Sequence, residues 1–480
     1  MKSPQQSPLP AKEQRPGGTN REEFPWGVRA SPGLNHQDRA PVQGRPAHET
    51  AGSGETMQPE LTFQHYTGID WATEAHRICL LDHEGRLVAK TTIAHSGDGL
   101  AQLLAWVHQH GAVPARTAVA IEVPRGAVVE TLTERGFSVF HLNPKQLGRF
   151  RDRYSTAGAK DDDRDAFVLA SALRTDLALF HPVPVEPESL IQLRELFRAA
   201  DELRGEMQRH SSRLREQLNR YYPQMLVLCP AAQQPFLWDL LEAAPLPASA
   251  AALEPERVQG LLKARQIRRL TAAQILATLG RPALPLAPGA ALAASQHALV
   301  LVAQLRIVRQ QRDLTLKRLR EVLRHLRAQR NDGARPSDVE IIESLPGAGE
   351  LTTAALLTES AQALAERDPE ALRAYSGIAP VTRQSGKRRS VSMRYACNQR
   401  LRNALYFQAL CSLRGDPVSR RHYDALRQAG HSHARALRGV SDRLLTVLIA
   451  MLRQGTLYDP RLRKAWRAGD EFVSAEAGDE

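Results

Sequence analysis

Residues 65–96, "HYTGIDWATEAHRICLLDHEGRLVAKTTIAHS", contain three short runs separated by turns: "HYTGIDWA", "RICLLDHEG" and "LVAKTTIAHS". Each is rich in Ile, Leu, Val or Thr and is about as long as a strand. They read as three consecutive antiparallel strands. The pattern then changes. "GDGLAQLLAWVHQHG" (97–111) reads as a helix ending at Gly111, "RTAVAIEVPRG" (116–126) as a strand, "AVVETLTERG" (127–136) as a helix and "FSVFHLNP" (137–144) as a strand. One longer helical stretch follows, from Lys145 to Asp176. The order βββαβαβα predicts a mixed α/β sheet with helices on its faces.

The rest of the chain is organised around this unit. Residues 1–60 are rich in Pro and Gly and poor in apolar residues, which predicts a disordered tail. Met57 lies just before the first strand, and a true start there is an open expectation. The α/β domain is expected over 61–180. Over 181–335 a helical region is expected, with apolar residues recurring every three or four positions in two long runs, Leu193 to Tyr221 and Leu301 to Leu326. Both a coiled-coil arm and two helices of a compact bundle fit that spacing. A helical domain is expected over 336–460, then an acidic tail over 461–480.

The chain carries 64 Lys+Arg against 52 Asp+Glu, a formal charge of +12. A basic balance favours a polyanionic partner, although a coding bias toward Arg contributes to it. No apolar leader or long uninterrupted apolar run is seen, so a cytoplasmic protein without a membrane partner is expected. Four scattered cysteines, none in a CxxC pair, give neither a zinc site nor a disulfide framework.

Against this basic background, "AGAKDDDRDAFVLASAL" (157–173) puts four acidic residues among the five from Asp161 to Asp165. Asp162 and Asp165 are three apart and share one helix face. Asp70 ends the first predicted strand, and Glu122 interrupts the apolar run "AVAIEVP" at the end of the fourth. Sites form at strand ends in open α/β sheets. Carboxylates brought together need a cation, and hard oxygen donors beside phosphate suit Mg²⁺ or Mn²⁺. A DxxD on a helix, taken alone, is more often a solvated face. Three such elements in the order of a ribonuclease H-like (RuvC-like) domain are more specific together. Asp161 and Asp163 point off the shared face and are weaker candidates.

Toward the C-terminus, "IIESLPGAGELTTAALLTE" (341–359) resembles the hairpin of helix-hairpin-helix modules, with Gly347 and Gly349 placed to let backbone N–H groups approach a phosphate. Between Val381 and Arg402 lie seven basic residues and no acidic one: Arg383, Lys387, Arg388, Arg389, Arg394, Arg400 and Arg402. Ser385 sits among them in a predicted loop. A serine surrounded by cations can attack phosphorus, because positive charge favours the alkoxide. It can equally bind backbone phosphate only, and Ser390 and Ser392 compete for any role. Asn403 belongs to the same amphipathic run.

Taken in order, "YTGIDWA", "IEVPRG", "AKDDDRDAFVLA", "SLPGAG", "YSGIAPVTRQSG" and "NQRLRNAL" resemble the DEDD transposases of the insertion sequence one-ten family, over roughly residues 64–180 and 337–455. The resemblance implies a RuvC-like domain, a coiled-coil insertion and a C-terminal transposase domain with a catalytic serine. It implies DNA recombination guided by a structured bridge RNA from the element's own end, in a dimer or tetramer acting on the nucleoid. Asp70, Glu122, Asp162 and Asp165 would then form the metal-binding tetrad, and Ser385 would be the nucleophile. This chain has Lys160-Asp161-Asp162 where relatives commonly have Lys-Thr-Asp, and Cys397-Asn398 where Gly-Asn is common. Two other readings remain: a structure-selective nuclease using water, such as a junction resolvase, and a non-catalytic nucleic-acid-binding protein.

Overall fold

The computed structural model describes residues 63–142, 144–154, 162–328, 335–386 and 388–461, with the backbone alone at Pro144, Lys145 and Asp162. The predicted N-terminal tail, Asp161, Lys387, the side chain of Asp162 and nearly all of the predicted acidic tail lie outside the described residues.

Strands β1 (His65–Asp70), β2 (Ala75–Asp82) and β3 (Leu87–Ala94) form an antiparallel meander. Helix α1 (Gly97–Gln109) leads to β4 (Thr117–Ile121), which pairs parallel to β1; α2 (Ala127–Glu134) leads to β5 (Ser138–His141), parallel to β4. With the short β6 (His181–Pro182) the sheet order is β3-β2-β1-β4-β5-β6. The mixed sheet expected from the sequence is present.

The two faces of this sheet differ because of the alternation in "TAVAI". Val119 and Ile121 join Ile69 in a core with Leu103 and Val107 of α1 and Val128 and Leu132 of α2. Ala118 and Ala120 face the other way, against α4 (Asp162–Thr175) through Leu169 and Leu173. Small residues on that face let α4 lie close. At Gly68 the approach is closest: an added Cβ would lie 1.9 Å from Ala166 O and 2.6 Å from Ala170 N. Gly68→Ala must therefore push α4 off the sheet. It is expected to destabilise the domain by about 3 kcal/mol, read as a lower urea midpoint at unchanged slope.

The single helix expected from Lys145 to Asp176 is divided. Helix α3 (Pro144–Arg151) stops there and residues 152–154 turn, and α4 begins at Asp162. A straight helix of that length would run about 48 Å. The break instead returns the chain, so that Leu147 and Phe150 share a core with Leu169 and Leu173.

Beyond the sheet, α5 (Glu188–Tyr221) is followed by α6 (Gln224–Leu228), α7 (Pro235–Ala243), α8 (Pro255–Ala264) and α9 (Ala272–Leu279), and α10 (Pro288–Ala328) returns along α5. The pair is antiparallel. Leu214 and Leu218 of α5 meet Leu301, Val302 and Leu305 of α10 in one core with α6–α9, whereas Leu193 and Phe197 meet Leu319 and Leu323 in another. The apolar first half of α10, long and hydrophobic enough by composition to cross a membrane, turns one face, with Ala294, Ala298, Leu301, Val302 and Leu305, into this core, and its Arg306 pairs with Asp239 and Glu242.

The second core is completed by a largely helical part. It comprises α11 (Asp338–Ser344), α12 (Glu350–Glu359), α13 (Ala361–Ala365), α14 (Pro369–Tyr375), a hairpin of β7 (Val381–Ser385) and β8 (Arg388–Ser392), and α15 (Gln399–Gly415), α16 (Pro417–Gln428) and α17 (His433–Gln454). Leu356, Leu401, Leu405, Leu444 and Leu448 pack there against the bases of α5 and α10.

Candidate active site

In β1 and β4 the register pairs Ile69 with Ile121, so Asp70 and Glu122 follow as neighbours at the same end of two adjacent parallel strands. By the two-residue alternation, Asp70 shares the side of Gly68, the face covered by α4, and Glu122 follows directly on the last residue of β4. Helix α4 starts at that same end: Asp163 lies 3.6 Å from Arg77, and Arg77 is the register partner of Asp70. The sheet therefore brings Asp70, Glu122 and the start of α4 to one end.

Asp165 is 1% exposed and closed by Arg151 of α3, with Nε–Oδ1 2.5 Å and Nη2–Oδ2 2.7 Å. Among the described residues no three His, Cys, Asp or Glu side chains are grouped to hold a metal ion. The hard-oxygen donors Asp70 and Glu122 fit a divalent cation in type. Asp165 is a donor of the same type, with both of its oxygens taken by Arg151. Arg151 was invisible to the sequence reading, because nothing in its spacing ties it to the DxxD.

Glu122 borders a cavity of about 580 Å³ between the sheet's end and the helical part, with Arg125 on the same wall and Glu359, Tyr375 and Asn398 opposite. Glu359 is 3% exposed, receives two hydrogen bonds from Arg198 and one from Asn398, and is a second residue that spacing could not reveal. Burial alone would raise its carboxyl; Arg198 and Asn398 outweigh it and hold the group below the usual range.

From the far side of Asn398 the β7–β8 hairpin projects with almost every residue exposed. Ser385 is the last residue of β7, facing Arg388 across the strands, before a turn that opens at Gly386 with φ 55°. The expected loop is thus a strand end. Directly paired residues share a face. Arg383, Ser385, Arg388 and Ser390 lie on one face, and Gln384 and Arg389 on the other.

The other predicted nucleic-acid contacts fall in different settings. Arg394 donates to Ala379 O at 3.4 Å and Arg402 donates to Arg394 O. Arg400 faces Asp201 at 3.3 Å and Glu202 at 3.4 Å, so its charge is met within the chain. Gly349 caps α12, and Gly347, at φ 74°, lies so close to α15 that a Cβ would sit 2.3 Å from Gln408 O. Gly347 therefore has a packing reason to be glycine.

Two further arginines were missed. Arg435 and Arg438 are one turn apart on α17, whose Ser441 bonds Leu405 O of α15, one turn on from Arg402. Burial, then the like charges of Arg435 and Arg402, pull the Arg438 guanidinium below the usual arginine range; Tyr395 acts the other way. Arg438 makes no hydrogen bond or ion pair among the described residues. A half-buried cation in such company calls for an anion. Arg435→Ala/Arg438→Ala is expected to flatten the slope of log K against log salt for duplex DNA by about 0.9 for each phosphate no longer neutralised.

Comparison with known proteins bears on the same segments. Residues 67–223 match a family profile described as "Transposase", and residues 339–424 one described as "Transposase IS116/IS110/IS902 family". A candidate transposase for the IS117 mini-circle of Streptomyces coelicolor is 31% identical over 420 residues, 82% of this chain and 95% of the relative. The chain belongs to the IS116/IS110/IS902 family of transposases. A candidate transposase of Sinorhizobium fredii, y4uE, is 46% identical over 251 residues, 52% of this chain and 69% of the relative. The insertion element IS110 43.6 kDa protein of Streptomyces coelicolor is 28% identical over 407 residues, 83% and 96% of the two chains. The transposase is thus a DNA-recombining enzyme of an insertion sequence. Its two profile matches cover the acidic sheet end and the start of α4 on one side, and the serine hairpin on the other.

Proposed function

We propose that this transposase cuts and rejoins DNA through a covalent phosphoserine link at Ser385, assisted by a divalent cation held by Asp70, Glu122, Asp162 and Asp165. The observation that carries the reading is the exposed hairpin, which presents Ser385 between Arg383 and Arg388 on one face. Oγ attacks phosphorus, the Oγ–P bond forms and the P–O3′ bond breaks. The hydroxyl proton leaves Oγ and the departing 3′ oxygen gains one. The two guanidinium groups meet the charge that builds on the non-bridging oxygens. When bound, Mg²⁺ or Mn²⁺ supplies Lewis-acid stabilisation of the phosphate and the leaving oxygen. Asp70 and Glu122 would hold it from the end of the sheet.

We further propose that a structured RNA from the element's own end guides the reaction, so that base pairing and not side chains reads the target. The motif resemblance supports this, and the +12 charge suits two polyanions. A homo-oligomer is part of the same proposal. Val300, Ile307 and Leu314 recur every seven residues on the outer face of α10, each more than half exposed, which suits pairing with a second copy. The test is capture of a Ser385–DNA adduct, with any copurifying RNA, from cells carrying the gene with its own flanking DNA. Absence of the adduct alongside efficient excision would leave water as the nucleophile.

A further inference from the structure

The hairpin that carries Ser385 buries neither of its faces. Two strands alone are marginal in water, so the hairpin's aim must be set at its base. Both legs are tied there. Ala379 N donates to Arg373 O at 2.9 Å on the way in, and Asn398 N donates to Tyr375 O at 2.8 Å on the way out. The side chain of Asn398 then divides its work. Its Oδ1 accepts from Leu401 N at 3.1 Å and caps α15, while its Nδ2 donates to Glu359 Oε2 at 2.6 Å. Glu359 is gripped from behind by Arg198 of α5, Nε–Oε1 2.8 Å and Nη2–Oε2 3.2 Å.

The same face of α5 makes the neighbouring ties. Arg194 donates to Thr358 O, and Asp201 and Glu202 receive Arg400. Positions 194, 198, 201 and 202 form one stripe at helical spacing. Helix α5 begins six residues after β6, whose His181 pairs with His141, itself the partner of Ile121 at the sheet end that carries Glu122. Glu359, Asn398 and Glu122 line one cavity.

We propose that Arg198, Glu359 and Asn398 form a positioning clamp that fixes the aim of the Ser385 hairpin relative to α5 and the acidic end of the sheet. None of the three touches the reacting atoms. The clamp acts through the hairpin base: removal of the Asn398 donor leaves the buried Glu359 held by Arg198 alone and unties it from the hairpin. This inference rests on the reading of Ser385 as the nucleophile for its adduct readout, but not for its excision readout.

Asn398→Asp separates the two tasks of the side chain. An aspartate still accepts from Leu401 N and caps α15, but it sets a carboxylate against Glu359. In cells carrying the full-length gene with its own flanking DNA, Asn398→Asp is expected to lower both excision and the adduct by about a hundredfold. The purified chain should stay folded, with a lowered melting temperature from the two facing carboxylates, and should keep its affinity for duplex DNA. Adding Glu359→Gln returns a donor with polarity reversed, and the double variant is expected to recover to within about tenfold of wild type. Wild-type excision in Asn398→Asp overturns the clamp. So does a double variant no better than Asn398→Asp while both stay folded. If wild type excises but gives no adduct, the serine reading fails, and the excision ratio of the two variants still decides the clamp.

Discussion

Ser385→Ala is expected to remove the covalent protein–DNA adduct completely and to lower excision by about a thousandfold or more, roughly 4 kcal/mol or more of barrier. Folding should be untouched, because Ser385 is exposed and ends a strand that packs on nothing. Ser390→Ala and Ser392→Ala are the controls. Both lie on the same face, nearer the base of the hairpin, and both should retain the adduct. The two-fold alternation sharpens the expectation. Arg383→Ala and Arg388→Ala, which share the face of Ser385, should each cost about tenfold to a hundredfold in adduct formation, whereas Arg389→Ala, on the opposite face, should mainly weaken binding in a salt-dependent way. An Arg389 effect larger than the other two would place the phosphate on the wrong side of the hairpin and sink the proposed geometry.

Much of this was legible in the sequence, and the reasons are local. Strand alternation in "AVAIEVP" and the strand-turn pattern of residues 65–96 follow from which side chains can leave water, so order and face could be read directly. Glu122 stood out because a carboxylate in an apolar strand contradicts its surroundings. What escaped were pairings set by tertiary approach. Arg151 meets Asp165 only because the chain turns after α3. Arg198 meets Glu359 from 161 residues away. Gly347 read as a phosphate-binding glycine, whereas the backbone of α15 passes against it. The long-helix runs allowed an arm or a bundle, and periodicity names a buried face without naming what covers it.

Replacement of Glu122 by Gln is the second large effect. Glu122 makes no hydrogen bond or ion pair among the described residues, so its loss should leave the unfolding midpoint nearly unchanged. Excision and adduct should nevertheless fall by about a thousandfold, and chelation of divalent metal should produce the same loss in wild type. Asp70→Asn should lower excision and adduct to the same extent, as its neighbour at the strand end. Asp165 sets the harder test, because Arg151 already occupies it. Arg151→Ala leaves a carboxylate 1% exposed without its cation, which should destabilise the metal-free chain by about 3–5 kcal/mol. If Asp165 is a ligand, Mn²⁺ can replace the missing guanidinium. At a hundred times its dissociation constant it would restore about 2.7 kcal/mol, so the melting temperature of Arg151→Ala should rise more with Mn²⁺ than that of wild type. Arg151→Ala combined with Glu122→Gln should lose that rise. A melting temperature in Arg151→Ala that ignores Mn²⁺ would remove Asp165 from the metal site and leave its pair with Arg151 as a purely structural tie between α3 and α4.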